Sequence, residues 1–205
     1  MSVHPGPVVA PDEAGAVLAR EAARFASFGW MRGTAGNLSV VTSREPLRLL
    51  VTASGRDKGE LDPADTVLVD GWGEPVVAGS GRPSAEAALH ARVVRLTGAG
   101  AVVHVHTVAS VAAGRRHPAG VAFRDLEMLK GLGRSAHDEE VVLPVIANSQ
   151  DMDVLGGRLE AVLDPRVPAV LVAGHGLYAW GADPAAARRH TEVVEWLLEL
   201  ALTAP

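Results

Sequence analysis

The sequence of 205 residues contains no cysteine. Disulfide bonds and thiolate metal sites are therefore excluded, and any transition metal has to be held by histidine, aspartate or glutamate. Long polar tracts are also missing, and charged residues make up 21% of the chain, which argues against global disorder. The absence of thiols leaves open a metal site built from imidazoles and carboxylates.

An excess of positive charge is absent as well. The formal net charge is −5 and no basic patch is present, so binding to a nucleic-acid backbone is not expected, although a local pocket can still bind a small anion. No apolar run approaches the roughly 18 residues of a membrane span, and the N-terminus lacks signal-peptide architecture. We therefore expect a cytoplasmic protein with no nucleic-acid partner and no membrane partner.

No internal repeat and no long linker divide the chain. Residues 1–10 are predicted to form a flexible tail, and residues 11–205 a single domain, because 48% hydrophobic residues over this length supply one core. Helix and strand patterns are interspersed, and hairpin signals in the first half argue against a purely parallel sheet. The fold class is therefore mixed α/β.

The hydrophobic periodicity predicts the secondary structure coarsely. Ser84 is a candidate N-cap for a helix that continues to about Thr97. The other helices are predicted over residues 11–30, 108–113, 151–163 and 183–202, with a helical turn or two within 125–133. The strands are predicted over residues 37–42, 47–53, 67–70, 75–78, 101–106, 141–146, 169–173 and 177–180.

Two histidines end the buried strand 101–106. Side chains at positions i and i+2 of a strand point to one face, so His104 and His106 can converge on one metal ion. A third histidine, His175, lies between two glycines directly after another buried strand, where the backbone can approach a ligand closely. Three imidazoles form the pattern of catalytic zinc sites, although hydrogen-bonded histidines at a sheet edge remain an alternative.

Two turns in the first half are rich in small, hydrogen-bond-donating groups. They are Thr34–Ala35–Gly36–Asn37 and Ser54–Gly55–Arg56–Asp57–Lys58. Exposed N–H groups, hydroxyls and a nearby cation are what a phosphate needs, and Ser84 adds a third donor. Glu86, close by on the predicted helix, is either a solvated surface residue or a group near the metal.

Five segments, in this order and spacing, resemble the class II aldolase/adducin family. They are GTAGNLS, VTASG, PSAEAALH, AVVHVHT and AGHGLYAWG. The resemblance covers nearly the whole chain and implies a three-layer α/β/α domain with a central, mostly antiparallel sheet. It also implies a homotetramer with active sites near the subunit interfaces.

The resemblance further implies one zinc ion per subunit. Its ligands fall on His104, His106 and His175, with Glu86 as a fourth ligand or a close neighbour. The substrate is expected to be a phosphorylated ketose, and the residues expected to bind its phosphate are Gly36, Asn37, Ser54, Gly55, Lys58 and Ser84. The family pattern often has a second serine before the glutamate, and Ala85 stands there instead.

A narrower resemblance concerns the segments LEMLKG, NSQD and RRHTEVVEWLLE. They are similar to the branch of the family that dehydrates a methylthio-substituted ketose 1-phosphate in methionine salvage, and they place its acid/base glutamate on Glu127. The alternatives are a sugar-phosphate aldolase or a pentulose-phosphate 4-epimerase on the same scaffold. A non-catalytic, adducin-like interaction module is a further alternative, but three metal-binding histidines argue against it.

Overall fold

A seven-stranded sheet forms the centre of the fold in the computed structural model, which describes residues 6–133 and 138–203. The strands are β1 (Asn37–Arg44), β2 (Leu47–Thr52), β3 (Thr66–Asp70), β4 (Ala101–Val105), β5 (Val121–Phe123), β6 (Val141–Leu143), β7 (Val145–Ile146), β8 (Ala169–Val172) and β9 (Gly176–Gly181). The helices are α1 (Pro11–Ser27), α2 (Ala87–Thr97), α3 (Val108–Arg116), α4 (Met152–Val162) and α5 (Pro184–Thr203), with a 3₁₀ helix at Glu127–Leu132.

The sheet has the strand order β3-β2-β1-β4-β9-β8-β7. Every neighbouring pair is antiparallel except β7 and β8, which are parallel. Strands β5 and β6 form a separate antiparallel pair. The prediction of a mostly antiparallel central sheet is confirmed.

The two faces of the sheet are covered by different helices, as the alternation of side chains along a strand requires. Along β4, Ala101, Val103 and Val105 pack with residues of α1, α3 and α5. Val102, on the opposite face, packs with residues of α2 and α4. These two cores on either side of one sheet confirm the three-layer α/β/α architecture.

Prolines account for two strands that differ from the prediction. The sequence pattern predicts a single strand over residues 141–146. In the structure the chain turns at Pro144, so that β6 pairs with β5 and β7 pairs with β8. The predicted strand 75–78 is wrong, because only an isolated bridge joins Val69 to Pro75. Proline has no N–H for the ladder, and this limits pairing at both places.

The start of α2 also differs from the prediction. Helix α2 begins at Ala87 with Glu86 as its N-cap residue, so the prediction that Ser84 caps it is wrong. The Ser84 hydroxyl instead accepts a hydrogen bond from the Glu86 N–H at 3.3 Å. As a consequence, Glu86 lies at the N-terminal end of α2 and not on one of its sides.

The N-terminal segment runs along the sheet where the structure describes it. Of the predicted tail, residues 1–5 lie outside the described residues. The Val9 N–H donates to the Val41 carbonyl at 2.9 Å, and the Gly6 N–H donates to the Gly98 carbonyl at 3.2 Å. The division into a tail and a single domain stays a prediction. Within the described ranges, no helix is both long enough and apolar enough to cross a membrane.

Candidate metal and phosphate site

The central strand β4 positions the first part of the site. His104 is the fourth residue of β4 and pairs with Asn37 on β1 and with Tyr178 on β9. Its imidazole lies on the face of the sheet that α2 covers, and it stacks on the Tyr178 ring with centroids 3.9 Å apart. The neighbouring strands therefore hold His104 on both sides.

The hydrogen bonds of His104 determine which nitrogen faces the site. Its Nδ1 lies 3.0 Å from the Leu177 carbonyl oxygen. A carbonyl can only accept, so Nδ1 carries the proton and Nε2 keeps a free lone pair. That Nε2 lies 2.7 Å from Nε2 of His106 and 3.3 Å from Nε2 of His175.

His175 reaches the same point from the turn between β8 and β9. The turn needs glycine on both sides of the histidine. Gly174 has φ of +69°, in the left-handed region that favours glycine. A Cβ at Gly176 would overlap the Val105 carbonyl oxygen. The two glycines therefore let the turn lie against the end of β4, where the other two histidines are.

The three histidines fit a metal ion. Their ligand atoms lie within 4.8 Å of one another, and His104 is fully buried while the other two are half-buried. Burial lowers the pKa of His104 to about 3 and also lowers that of His106. Neutral imidazoles with converging lone pairs are the donor set that zinc and related divalent ions use.

Glu86 faces the three histidines. Its Oε1 lies 3.2 Å from Nε2 of His175, and its Oε2 lies 3.4 Å from Nε2 of His104. Asn37 donates a hydrogen bond from Nδ2 to Oε2 at 2.6 Å. Burial alone raises the pKa of Glu86, but His104, His175 and Asn37 together hold it well below its ordinary value. The interpretation of Glu86 as a solvated helical residue is therefore excluded.

One pocket of about 310 Å³ connects the metal cluster to the two predicted phosphate turns. It contains every residue that the sequence predicts to bind phosphate, together with Glu86, His106 and His175. The lining is Thr34, Ala35, Gly36, Asn37, Ala53, Ser54, Gly55, Lys58, Ser84, Ala85, Glu86, His106, Ser149, Gln150, Met152 and His175. A phosphorylated ligand could thus contact both turns and the metal at once.

Lys58 links the two turns through hydrogen bonds on their buried side. Its side chain is buried, and its Nζ donates to the carbonyl oxygens of Thr34 at 3.1 Å and Arg56 at 2.7 Å. Burial lowers its pKa from the ordinary lysine value, with the charge of Asp57 acting in the opposite direction. The ammonium therefore cross-links the turns and contributes positive charge to the wall of the pocket.

Glu127 is the predicted site residue that lies neither in the histidine cluster nor on the wall of this pocket. It begins the 3₁₀ helix, and its side chain is 75% exposed. Lys130 donates a hydrogen bond from Nζ to its Oε1 at 2.6 Å. Within one chain, Glu127 is therefore not placed to act on a ligand beside the three histidines.

Four residues of the site were not assigned a role from the sequence. Ser149, Gln150 and Met152 line the pocket from the loop before α4 and its first turn. The NSQD segment is the sequence signal for Ser149 and Gln150, and it ends one residue before Met152. The fourth is Tyr178, the partner of His104, and only the β4–β9 register reveals it, because the two residues are far apart in sequence.

The similarity to known proteins extends over most of the chain. A family model described as the Class II Aldolase and Adducin N-terminal domain matches residues 16–202. A methylthioribulose-1-phosphate dehydratase from Persephonella marina is 36% identical over 173 residues, which cover 83% of this chain and 80% of that protein. The dehydratase from Exiguobacterium sibiricum is 37% identical over 180 residues, 87% of each chain.

Solved structures agree with the sequence comparison. YgbL from Klebsiella pneumoniae is similar with a TM-score of 0.79 and 25% identity, covering 95% of this chain and 91% of that one. L-fuculose-1-phosphate aldolase from Thermus thermophilus is similar with a TM-score of 0.69 and 27% identity, covering 92% of each chain. The chain therefore belongs to the class II aldolase and adducin family.

Proposed function

We propose that this protein dehydrates 5-methylthioribulose 1-phosphate to 2,3-diketo-5-methylthiopentyl 1-phosphate, a step of methionine salvage. The observation that carries the proposal is the shared pocket, in which His106 and His175 of the three-histidine cluster and the two small-residue turns lie on adjoining walls. Relatives named as methylthioribulose-1-phosphate dehydratases cover more than four fifths of the chain. The cytosol stays the predicted compartment.

The phosphate of the substrate would lie between the two turns. Gly36 and Gly55 both have positive φ, +76° and +74°, and lie on the wall of the pocket. Asn37, Ser54 and Ser84 place an amide and two hydroxyls on the same wall. Lys58 supplies the positive charge behind these groups. Such a cradle fixes the phosphate end, so the reacting carbons are held at one distance from the histidines.

The metal would be one zinc ion per subunit, held by His104, His106 and His175, with Glu86 within reach of the same ion. When bound, the ion supplies Lewis-acid stabilisation of the negative charge that develops on the carbonyl oxygen at C2. Asn37 holds the Glu86 carboxylate toward the histidines through its 2.6 Å hydrogen bond. The acidic pKa of Glu86 keeps that carboxylate ionised beside the site.

The proton transfer is assigned to Glu127. Its carboxylate would remove the proton from C3 and deliver it to the hydroxyl that leaves C4 as water. The enol that remains then converts to the 2,3-diketone. Because Glu127 does not line the pocket of its own chain, we assign it to the pocket of a neighbouring copy in a homotetramer. Its exposed position on the 3₁₀ helix is compatible with that assignment.

The test is a panel of substrates offered to zinc-loaded and metal-stripped protein. We expect loss of water from methylthioribulose 1-phosphate with the zinc-loaded protein, no reaction after chelation, and recovery when zinc is returned. Cleavage of fuculose 1-phosphate or epimerisation of a pentulose phosphate, with methylthioribulose 1-phosphate untouched, would instead assign the site to the aldolase or epimerase alternatives. Absence of bound zinc would favour an interaction module.

A further inference from the structure

A buried carboxyl group lies behind the metal cluster and has no part in the proposed chemistry. Glu195, on the inner side of α5, is fully buried. Its Oε2 lies 2.7 Å from the Thr107 hydroxyl, and its Oε1 has no hydrogen-bond partner among the described residues. Burial of a carboxyl group with one unpartnered oxygen lowers the stability of the fold. Glu195 should therefore have a role that offsets this cost.

The only group that Glu195 contacts by a hydrogen bond in the described structure is Thr107. This residue is the N-cap of α3, and its hydroxyl oxygen accepts from the Ser110 N–H at 2.8 Å. The Ser110 hydroxyl donates to the Thr107 carbonyl at 3.1 Å. The Thr107 hydroxyl also lies 3.0 Å from the Ser110 hydroxyl, but its shorter contact, at 2.7 Å, is the hydrogen bond that it donates to Glu195 Oε2.

Thr107 directly follows the metal ligand His106. On the other side, the His106 N–H donates to the Trp30 carbonyl at 3.1 Å, just beyond the end of β4. The His106 ring has its close ring contacts with His104 and His175, at centroid distances of 4.6 and 4.7 Å. The orientation of His106 toward the metal therefore depends on how firmly the backbone is held at Trp30 and at Thr107.

We propose that Glu195 is a positioning residue for the metal centre, which it serves by anchoring Thr107 and so the backbone of His106. The inference rests on the metal site of the proposed function. For this role, the side chain at position 195 has to place a hydrogen-bond acceptor oxygen where Glu195 has Oε2. Either a carboxyl or an amide group meets that requirement, and an apolar side chain does not.

The test compares the zinc affinity of matched variants by competition with a chelator. Thr107→Val and Glu195→Leu remove the hydrogen bond at nearly constant volume, and we expect zinc binding to weaken by about 10- to 100-fold, the usual cost of losing an outer contact of a metal ligand. Thr107→Ser and Glu195→Gln keep the hydroxyl and the acceptor, so their zinc affinity should stay close to the wild-type value.

A separate variant distinguishes positioning from helix capping. Ser110→Ala removes one half of the capping box but leaves the Thr107–Glu195 hydrogen bond in place. It should lower the melting temperature of the metal-free protein without weakening zinc binding. Unchanged zinc affinity in both Thr107→Val and Glu195→Leu would overturn the inference. Failure of the wild-type protein to bind zinc would overturn the proposed function itself.

Discussion

At the scale of single residues, the site is determined by which nitrogen of each histidine is free. The Leu177 carbonyl fixes the tautomer of His104, and burial keeps its ring neutral. Protonated imidazoles this close to one another would repel, so the cluster is stable either as neutral rings or with a metal among them. The carboxylate of Glu86 adds one negative charge on the open side of the cluster.

Loss of one ligand should remove the metal. We expect His175→Ala to weaken zinc binding by more than about 100-fold, beyond the cost of losing an outer contact. The matched control is His190→Ala, because His190 lies on α5 and its Nδ1 is hydrogen-bonded to the Trp180 carbonyl at 2.7 Å. The zinc content of both variants is measured after dialysis. Equal zinc content in the two would contradict the assignment of His175.

Glu127 should be necessary for turnover but not for metal binding. Glu127→Gln keeps the size of the side chain and removes the acid/base function, so we expect the rate to fall by about 100-fold or more. Its zinc content should equal that of the wild type. Glu160→Gln, which changes an exposed glutamate paired with Arg92 on another helix, is the control. Full activity of Glu127→Gln would show that another group transfers the proton.

At the scale of elements, the sequence predicts what is local and misses what depends on pairing. The i, i+2 spacing of His104 and His106 on a strand predicts their convergence, and the small residues predict both phosphate turns. The stacking of Tyr178 on His104 follows from the β4–β9 register, which no local pattern contains. The exposure of Glu127 could not be predicted either, since it depends on how the 3₁₀ helix packs on α5.

The two turns predicted to bind phosphate should depend on each other through Lys58. Lys58→Met fills the same space but leaves the Thr34 and Arg56 carbonyls without their donor. We expect a loss of about 1.5–3 kcal/mol in stability for each hydrogen bond to the charged ammonium that the change removes. Urea unfolding measures this loss. The KM for the phosphorylated substrate should rise as well, and an unchanged KM and stability would show that the turns are independent.

The contact between α5 and the end of β4 should make stability depend on pH. Burial raises the pKa of Glu195 to about 8, against an ordinary value of 4.5, while the Thr107 hydrogen bond opposes this rise. The folded protein thus keeps a proton that the unfolded chain releases, so the stabilising contribution is complete below pH 4.5 and is lost as the pH rises through about 8.

The measurement for this dependence is urea unfolding of metal-free protein at several pH values. Glu195→Gln does not titrate, so its stability relative to the wild type should increase by at least about 1 kcal/mol between about pH 5 and 8. Other titrating groups are common to both proteins and cancel in the difference. Parallel stability curves for the two proteins would contradict a protonated Glu195 in the fold.

At the scale of the whole molecule, the three layers place the site at one end of the central strands. Strands β1, β4 and β9 bring Asn37, His104 and Tyr178 into one row across the sheet. Helix α2 closes this face with Glu86 at its N-terminus. Under the proposed function, a complete catalytic set needs Glu127 from another copy, so activity would depend on assembly.

Assembly should be visible both by light scattering and by complementation. We expect a homotetramer in solution, and mixing two inactive variants, Glu127→Gln and His175→Ala, should restore activity. For random equal mixing in a closed ring, about one quarter of the sites then combine an intact cluster with an intact Glu127. A monomer with full activity, or mixed oligomers that stay inactive, would contradict the shared site.

The central claim is that one pocket holds the phosphate and the metal while a proton is moved from C3 to the leaving hydroxyl. Mass spectrometry of methylthioribulose 1-phosphate incubated with zinc-loaded protein tests it most directly. We expect a product lighter by one water, formed only with the metal present and with the phosphate retained. Cleavage of the carbon chain, or substrate recovered unchanged, would contradict it.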